Sequence, residues 1–377
     1  VRKSRFKLIG LLLLLCSIVP VWSALAEEPI RLAAIYAVTG VAAEQNAPSL
    51  QGVKNAVAEL NRQGGLLGRH VELLVLDNLS TPIGSLDAAE RARDRGVAAI
   101  IGAAWSSHSL AIAQVAQAAG IPMVSSYSTS PALTRIGDYI FRVCYTDDFQ
   151  GAVLAQFAIE DLNARTAVIF TDVTSEYSIS LSQIFRANFE QQGGKILDEI
   201  EYKLKQPDFT TEVQRTKRSG ADVVLLAGHF ESGRIARDLQ QGGVKAIPLG
   251  GDGWVDGPFL DNGGSELRQG FFTTHWAEQV ESQRSRDFVR TYKPLGSFGT
   301  GTALAYDATM VVADAIRRAG SIEHKAVRNA LRTTKGFPGI TGSITFDAQG
   351  NPLKSVVIMK IHGGKIDYLK TLTPDRN

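Results

Sequence analysis

The sequence predicts an α/β protein of two lobes, each a doubly wound parallel sheet clad by helices. Three observations carry this. Short apolar runs alternate with segments of helical period, the alternation falls into two series before and after residue 150, and the strand-like runs are apolar throughout. Strands of that kind are expected where helices cover both faces of a sheet.

The first series opens with IRLAAIY, then a helix through Leu50, Val53, Val57 and Leu60 that stops at Gly64 and Gly65. VELLVL, a charged helix near 85–95 and VAAIIG complete a βαβαβ unit. Ile100 and Ile101 end that third strand, and Leu110, Ala111, Val115 and Ala118 recur at helical spacing until Gly120 stops the pattern. A fourth strand-like run precedes SSYSTSPALT. The second series runs AVIFTD, a helix over about 178–192 stopped by Gly193, ILDEIEY, a helix from Asp208, VVLLAG, another helix and IPLGG. Strands joined through helices predict parallel pairing. After residue 275 come helices near 283–292, 302–319 and 323–333, then GSITFD and SVVIMKIHGGKIDYL. This tail is read as closing a lobe, not as a third domain.

Residues 1–26 read as a secretory signal peptide: Arg2, Lys3, Arg5 and Lys7, an apolar run, then Ala24-Leu25-Ala26 as a small-residue cleavage site. Pro20 interrupts the run, and no later segment approaches a transmembrane length, so no membrane insertion is expected after cleavage. Removing the segment takes the formal net charge from +2 to −2. No basic block then remains to follow a phosphate backbone, which argues against nucleic-acid binding. Of the two cysteines, Cys16 lies in the apolar run and Cys144, in IFRVCY, reads as a small buried hydrophobe.

The motifs of catalysis are missing: there is no GxSxG, Walker loop, HExxH or CxxC, and no GxGxxG between a strand and a helix. GGLLGRH leads from a helix into a strand and reads as a helix stop and turn. The histidines are scattered, so neither a metal nor a cofactor is expected, and His108 reads as a solvated residue at a helix entrance. What stands out is polar and aromatic residues where apolar strands end: Ser106 and Ser107, Tyr127, Ser128 and Thr129, Tyr177, His229 and Phe230, Asp252 and Trp254. Singly, each has a plain alternative as a cap, a turn former or packing. Ligands of open parallel sheets bind beyond the carboxyl ends of the strands, so two facing lobes would gather this set around one cleft. Hydroxyls and helix-start amides at Ser106, Ser107 and Thr129 suit a carboxylate, Asp252 suits an ammonium, and Tyr127, Tyr177, Phe230 and Trp254 suit an apolar side chain.

The stretches AAIYAVTGVAAEQN, GVKNAVAELNRQGGLLGRHVELLVLDN, GVAAIIGAAWSSHSLAIAQVAQAAGIPMVSSYSTSPALT and GADVVLLAGHFESGRIARDLQQGG resemble the branched-chain amino acid class of extracytoplasmic solute receptors, the leucine/isoleucine/valine-binding proteins that feed ABC importers. The resemblance spans essentially all of the chain after residue 26. It implies a type I periplasmic-binding-protein fold whose lobes are joined by a three-segment hinge, with residues 27–147 and 275–353 in one lobe and 148–274 and 354–377 in the other. It implies a periplasmic monomer whose partners are a small amino acid and importer permease subunits. By the same resemblance Ser106 meets the ligand carboxylate, Tyr127 contributes backbone contacts, Thr129 helps hold both charged ends and Tyr177 is the aromatic of the second lobe. Asp252 stands where a glutamate often meets the ammonium, and Gln45 where a larger aromatic often touches the ligand side chain. Three positions depart from the pattern. Gly228 replaces a common tyrosine, which would enlarge the pocket or pass its role to Phe230, and Ser80 and Trp105 replace cysteines that some members pair. Alternative readings are a sensor, or a receptor for urea, a short amide or an aromatic acid.

Overall fold

The apolar runs pair as two sheets. The computed structural model describes residues 28–254, 256–279, 282–296 and 298–373, so the proposed signal segment lies outside it. The first unit contains β1 (Ile30–Tyr36), α1 (Ala43–Arg62), β2 (Val71–Asp77), α2 (Pro82–Asp94), β3 (Ala99–Gly102), α3 (Ser106–Ala119), β4 (Met123–Ser125) and β5 (Ile140–Arg142). The second contains α4 (Asp147–Glu160), β6 (Thr166–Asp172), α5 (Glu176–Gln191), β7 (Lys195–Tyr202), α6 (Thr210–Ser219), β8 (Val223–Leu226), α7 (Ser232–Gln241), β9 (Ile247–Gly250), α8 (Asp256–Asp261) and β10 (Gln269–Thr274). Then follow α9 (Gln283–Tyr292), α10 (Thr300–Ala319), α11 (His324–Arg332), β11 (Phe337–Gly339), β12 (Gly342–Ile344), β13 (Val356–His362) and β14 (Lys365–Leu372).

The first sheet is all parallel in the order β2-β1-β3-β4-β5. The second has the order β7-β6-β8-β9-β10-β13-β14 and is mixed, since β13 and β14 run antiparallel to their neighbours. Its parallel part follows from the helical crossovers. The β13–β14 hairpin follows from a tight turn at Gly363 and Gly364, whose φ values of 55° and 76° are ones that glycine adopts without steric cost.

Cores lie on both faces of each sheet. Leu32, Ala34 and Ile101 face α1 and α10, while Ala33, Ile35 and Ile100 face the side covered by α2 and α3. Helix α10 is buried on nearly every side and meets α1 at backbone distance, where a Cβ on Gly52 would stand 2.2 Å from the Thr302 carbonyl oxygen. Helices α9 to α11 thus belong with the first sheet. The chain crosses between the units after β5, after β10 and before β13. Among the described residues no helix is long and apolar enough to cross a membrane.

Candidate functional site

In the first sheet β1 and β3 are neighbours whose connections leave in opposite directions, and β6 and β8 repeat this in the second. Such switch points open a crevice beyond the strand ends. The two crevices face one another across a shared cavity. Its wall is Gln45, Ser49, Ala104, Trp105, Ser106, Tyr127 and Thr129 from the first lobe, with Tyr177, His229, Asp252 and Gly253 from the second.

One end of the cavity suits an anion. Ser106 opens α3, and the preceding cap residue Trp105 supplies no side-chain hydrogen bond to the helix start. Such a terminus presents amide donors and the positive end of the helix dipole. The Ser106 hydroxyl accepts from the Ser130 amide at 3.3 Å, and the buried Thr129 Oγ1 has no partner. The loop carrying Thr129 hangs on Arg142, a fully buried guanidinium at the end of β5. Its Nη1 donates to the Ser128 carbonyl at 2.7 Å, and its Nη2 donates to the Ser130 carbonyl at 2.8 Å and to Thr134 Oγ1 at 3.4 Å. The Cys144 thiol, pushed up to about 12 mainly by burial, donates to the same Ser128 carbonyl.

The other end suits a cation. Asp252 Oδ2 accepts from His275 Nε2 at 2.9 Å, while Oδ1 is buried with no partner. Burial lowers the His275 imidazole, opposed by its hydrogen bond to Asp252. The loop is fixed through its backbone: the Asp252 amide donates to Gln150 Oε1 at 3.1 Å and the Gly253 amide to the Tyr177 hydroxyl at 3.0 Å.

The lobes are in contact around the cavity. Gln45 accepts from the Trp105 indole at 2.7 Å and donates to the Gly253 carbonyl at 3.0 Å, and the Tyr127 hydroxyl donates to the Asp252 carbonyl at 3.2 Å. A stack of rings spans the junction. His229 lies parallel to Trp105 at 4.2 Å, with Tyr177 at 5.0 Å on the second lobe, and His108 stacks on Trp105 at 5.3 Å. Burial lowers His229 to about 3 and His108 to about 4, so both imidazoles stack as neutral rings.

Six residues expected at the site, Gln45, Ser106, Tyr127, Thr129, Tyr177 and Asp252, line the cavity. Four do not. Ser107 points to the other lobe, accepting from the Glu176 amide at 3.0 Å at the start of α5. Ser128 is spent inside the first lobe, its hydroxyl paired with Ser109 and with the Ala104 carbonyl at 3.0 Å. Phe230 lies off the wall, because the turn into α7 directs its neighbour His229 inward. Trp254 is core: fully buried, stacked on Phe259 at 4.4 Å, with its indole donating to the Leu226 carbonyl. His108 is also buried, not solvated.

The three departures have structural answers. Gly228 does not enlarge the cavity, since a Cβ there would stand 2.1 Å from the Tyr202 hydroxyl and 2.2 Å from Glu231 Oε1, which fill the space. Ser80 fastens two loops, donating to the Thr39 carbonyl at 2.6 Å and accepting from the Ala42 amide at 3.1 Å. Trp105 joins the ring stack. Ser49, Ala104, Trp105 and Gly253 were not expected as wall residues, although Trp105 and Gly253 each adjoin a residue that was, while His229, singled out beside Phe230, does reach the wall.

The profile of the family described as periplasmic binding protein matches residues 29–365. The Leu/Ile/Val-binding protein homolog 3 of Brucella melitensis is 28% identical over 352 residues, covering 90% of this chain and 94% of its own length. The Leu/Ile/Val-binding protein BraC3 of Rhizobium johnstonii is 29% identical over 352 residues, covering 91% and 94%. Among solved structures, the leucine-binding protein LivK of Thermotoga maritima superposes with a TM-score of 0.87 at 33% identity, covering 92% of this chain and 99% of that one. LivJ of Streptococcus pneumoniae, a branched-chain amino acid transporter substrate-binding protein in complex with isoleucine, gives 0.86 at 27% identity, covering 92% and 100%. The two-lobed α/β fold and the extent of these matches agree, and the chain belongs to the periplasmic binding protein family, whose members work outside the cytoplasm.

Proposed function

We propose that this protein is the substrate-binding component of an ABC importer and captures an α-amino acid with an apolar side chain between its lobes. The observation that carries the reading is a pair of buried, unpartnered oxygens on the cavity wall, Thr129 Oγ1 on one lobe and Asp252 Oδ1 on the other. Buried polar atoms cost free energy until they find a partner. A zwitterion supplies one at each end, its carboxylate toward Thr129, Ser106 and the start of α3, and its ammonium toward Asp252. Tyr127, Tyr177 and Trp105 then enclose the side chain. The relatives named for leucine, isoleucine and valine support the same ligand class. In this reading residues 1–26 direct export, the boundaries at 147/148, 274/275 and 353/354 mark the hinge, and the closed form docks on permease subunits.

Thermal unfolding with added ligand tests it. L-leucine, L-isoleucine or L-valine at a hundredfold excess over Kd should stabilise the protein by about 2.7 kcal/mol. 4-Methylpentanoate and 3-methylbutylamine, each lacking one charged end, should do far less. A shift with benzoate or urea and none with any amino acid would overturn the proposal.

A further inference from the structure

The carboxylate assigned to the ammonium meets the Tyr177 hydroxyl on the cavity wall and is also held from outside the cavity. His275 is fully buried, does not line the cavity and follows β10 directly, in the segment that returns the chain to the first lobe. Its Nε2–H donates to Asp252 Oδ2 at 2.9 Å, which fixes the carboxylate plane and leaves Oδ1 as the unpartnered oxygen. The imidazole is itself clamped, with the Tyr145 ring at 3.7 Å and the Tyr127 ring edge-on at 4.9 Å. Nδ1 has no partner, so the proton belongs on Nε2. From the other crossing, at the start of α4, Gln150 Oε1 takes the Asp252 amide at 3.1 Å and Thr273 Oγ1 at 2.7 Å. Asp252 is thus gripped by side chain and by backbone from two of the three crossing segments.

We infer that His275 is the positioning residue of the ammonium site, orienting Asp252 from the hinge so that one carboxylate oxygen is spent on the imidazole and the other is reserved for the ligand. This rests on the amino-acid reading above. Because the imidazole touches the acid and not the ligand side chain, it sets affinity for the shared amino-acid head group and leaves discrimination between side chains alone. Without the Nε2–H donor, Oδ2 is a buried charged oxygen with no partner, and the carboxylate is free to rotate away from the ligand.

Calorimetry of L-leucine and L-valine with wild type, His275→Leu and His275→Gln tests the inference. The leucine variant should bind both amino acids about tenfold or more weakly, as expected when a hydrogen bond to a charged group is lost, with the leucine-to-valine ratio unchanged. Glutamine, which keeps a neutral N–H donor near the Nε2 position, should recover most of the affinity. A changed ratio, or equal losses in both variants, would overturn it in favour of a packing role. The imidazole 15N shifts of ligand-free wild type supply a readout that needs neither ligand nor a folded variant, and an Nδ1–H tautomer would equally overturn it. Failure of wild type to bind any amino acid would instead count against the function, with the tautomer still judging the pair.

Discussion

Asp252→Ala loses about 2 to 5 kcal/mol of binding free energy for an amino acid, some 30-fold to several thousandfold in Kd, because the ammonium is left buried beside His275 with no counter-charge. The folded state should suffer little, since the variant also removes a buried charge that lacks a full set of partners. Titration calorimetry with L-leucine reads the effect. Affinity within twofold of wild type would remove Asp252 from the ammonium site and with it the zwitterion assignment. Asp252→Asn refines the result: it keeps the shape and a carbonyl acceptor but loses the charge, so it should fall between alanine and wild type.

Arg142→Leu should damage stability and binding together. The guanidinium donates to two carbonyls and a hydroxyl in the segment from Ser128 to Thr134, all deep in the protein. Leucine leaves those acceptors unsatisfied at about 1–3 kcal/mol each, so a total loss of about 3 kcal/mol or more is expected. Denaturant unfolding measures it. Thr129 lies between the two carbonyls that Arg142 holds, so affinity for amino acids should fall even in the fraction that folds. Arg142→Lys should rescue little, because one ammonium cannot reproduce the planar fork that reaches two separated carbonyls. A lysine variant of wild-type stability and affinity would refute this account of the loop.

The contrast between these residues shows what the sequence discloses. Alternation of apolar runs with helical segments was readable because strands buried on both faces have no polar side to confuse the pattern, and the elements it names between β1 and β9 lie close to where it places them, whereas β5, α4, α8 and β10 were not placed. Strand order was not readable: nothing local to VELLVL or VVLLAG tells which neighbour it pairs with, since that choice is made by packing across the sheet. Likewise the antiparallel edge depends on how β13 docks on β10, although the GG turn within SVVIMKIHGGKIDYL marks the hairpin. At the cleft, the rule that function gathers at strand ends located each loop but not the side chain within it. Ser106 and Ser107, Ser128 and Thr129, His229 and Phe230 are adjacent pairs of which only one member reaches the cavity, because neighbouring side chains leave an irregular backbone in different directions. Arg142 carried a signal that could have been used: a lone guanidinium inside the apolar run IFRVCY has to be buried and must find acceptors there.

The ring stack at the lobe junction also makes the molecule its own optical gauge. Of the tryptophans in the described residues, Trp254 and Trp276 are buried within their own lobes, at 0% and 3% exposure. Trp105 alone among them rests face to face on a ring of the opposite lobe. Parting the lobes would expose its indole to water, while closing them seals it against His229. Intrinsic emission therefore reports opening and closing directly, without any attached dye.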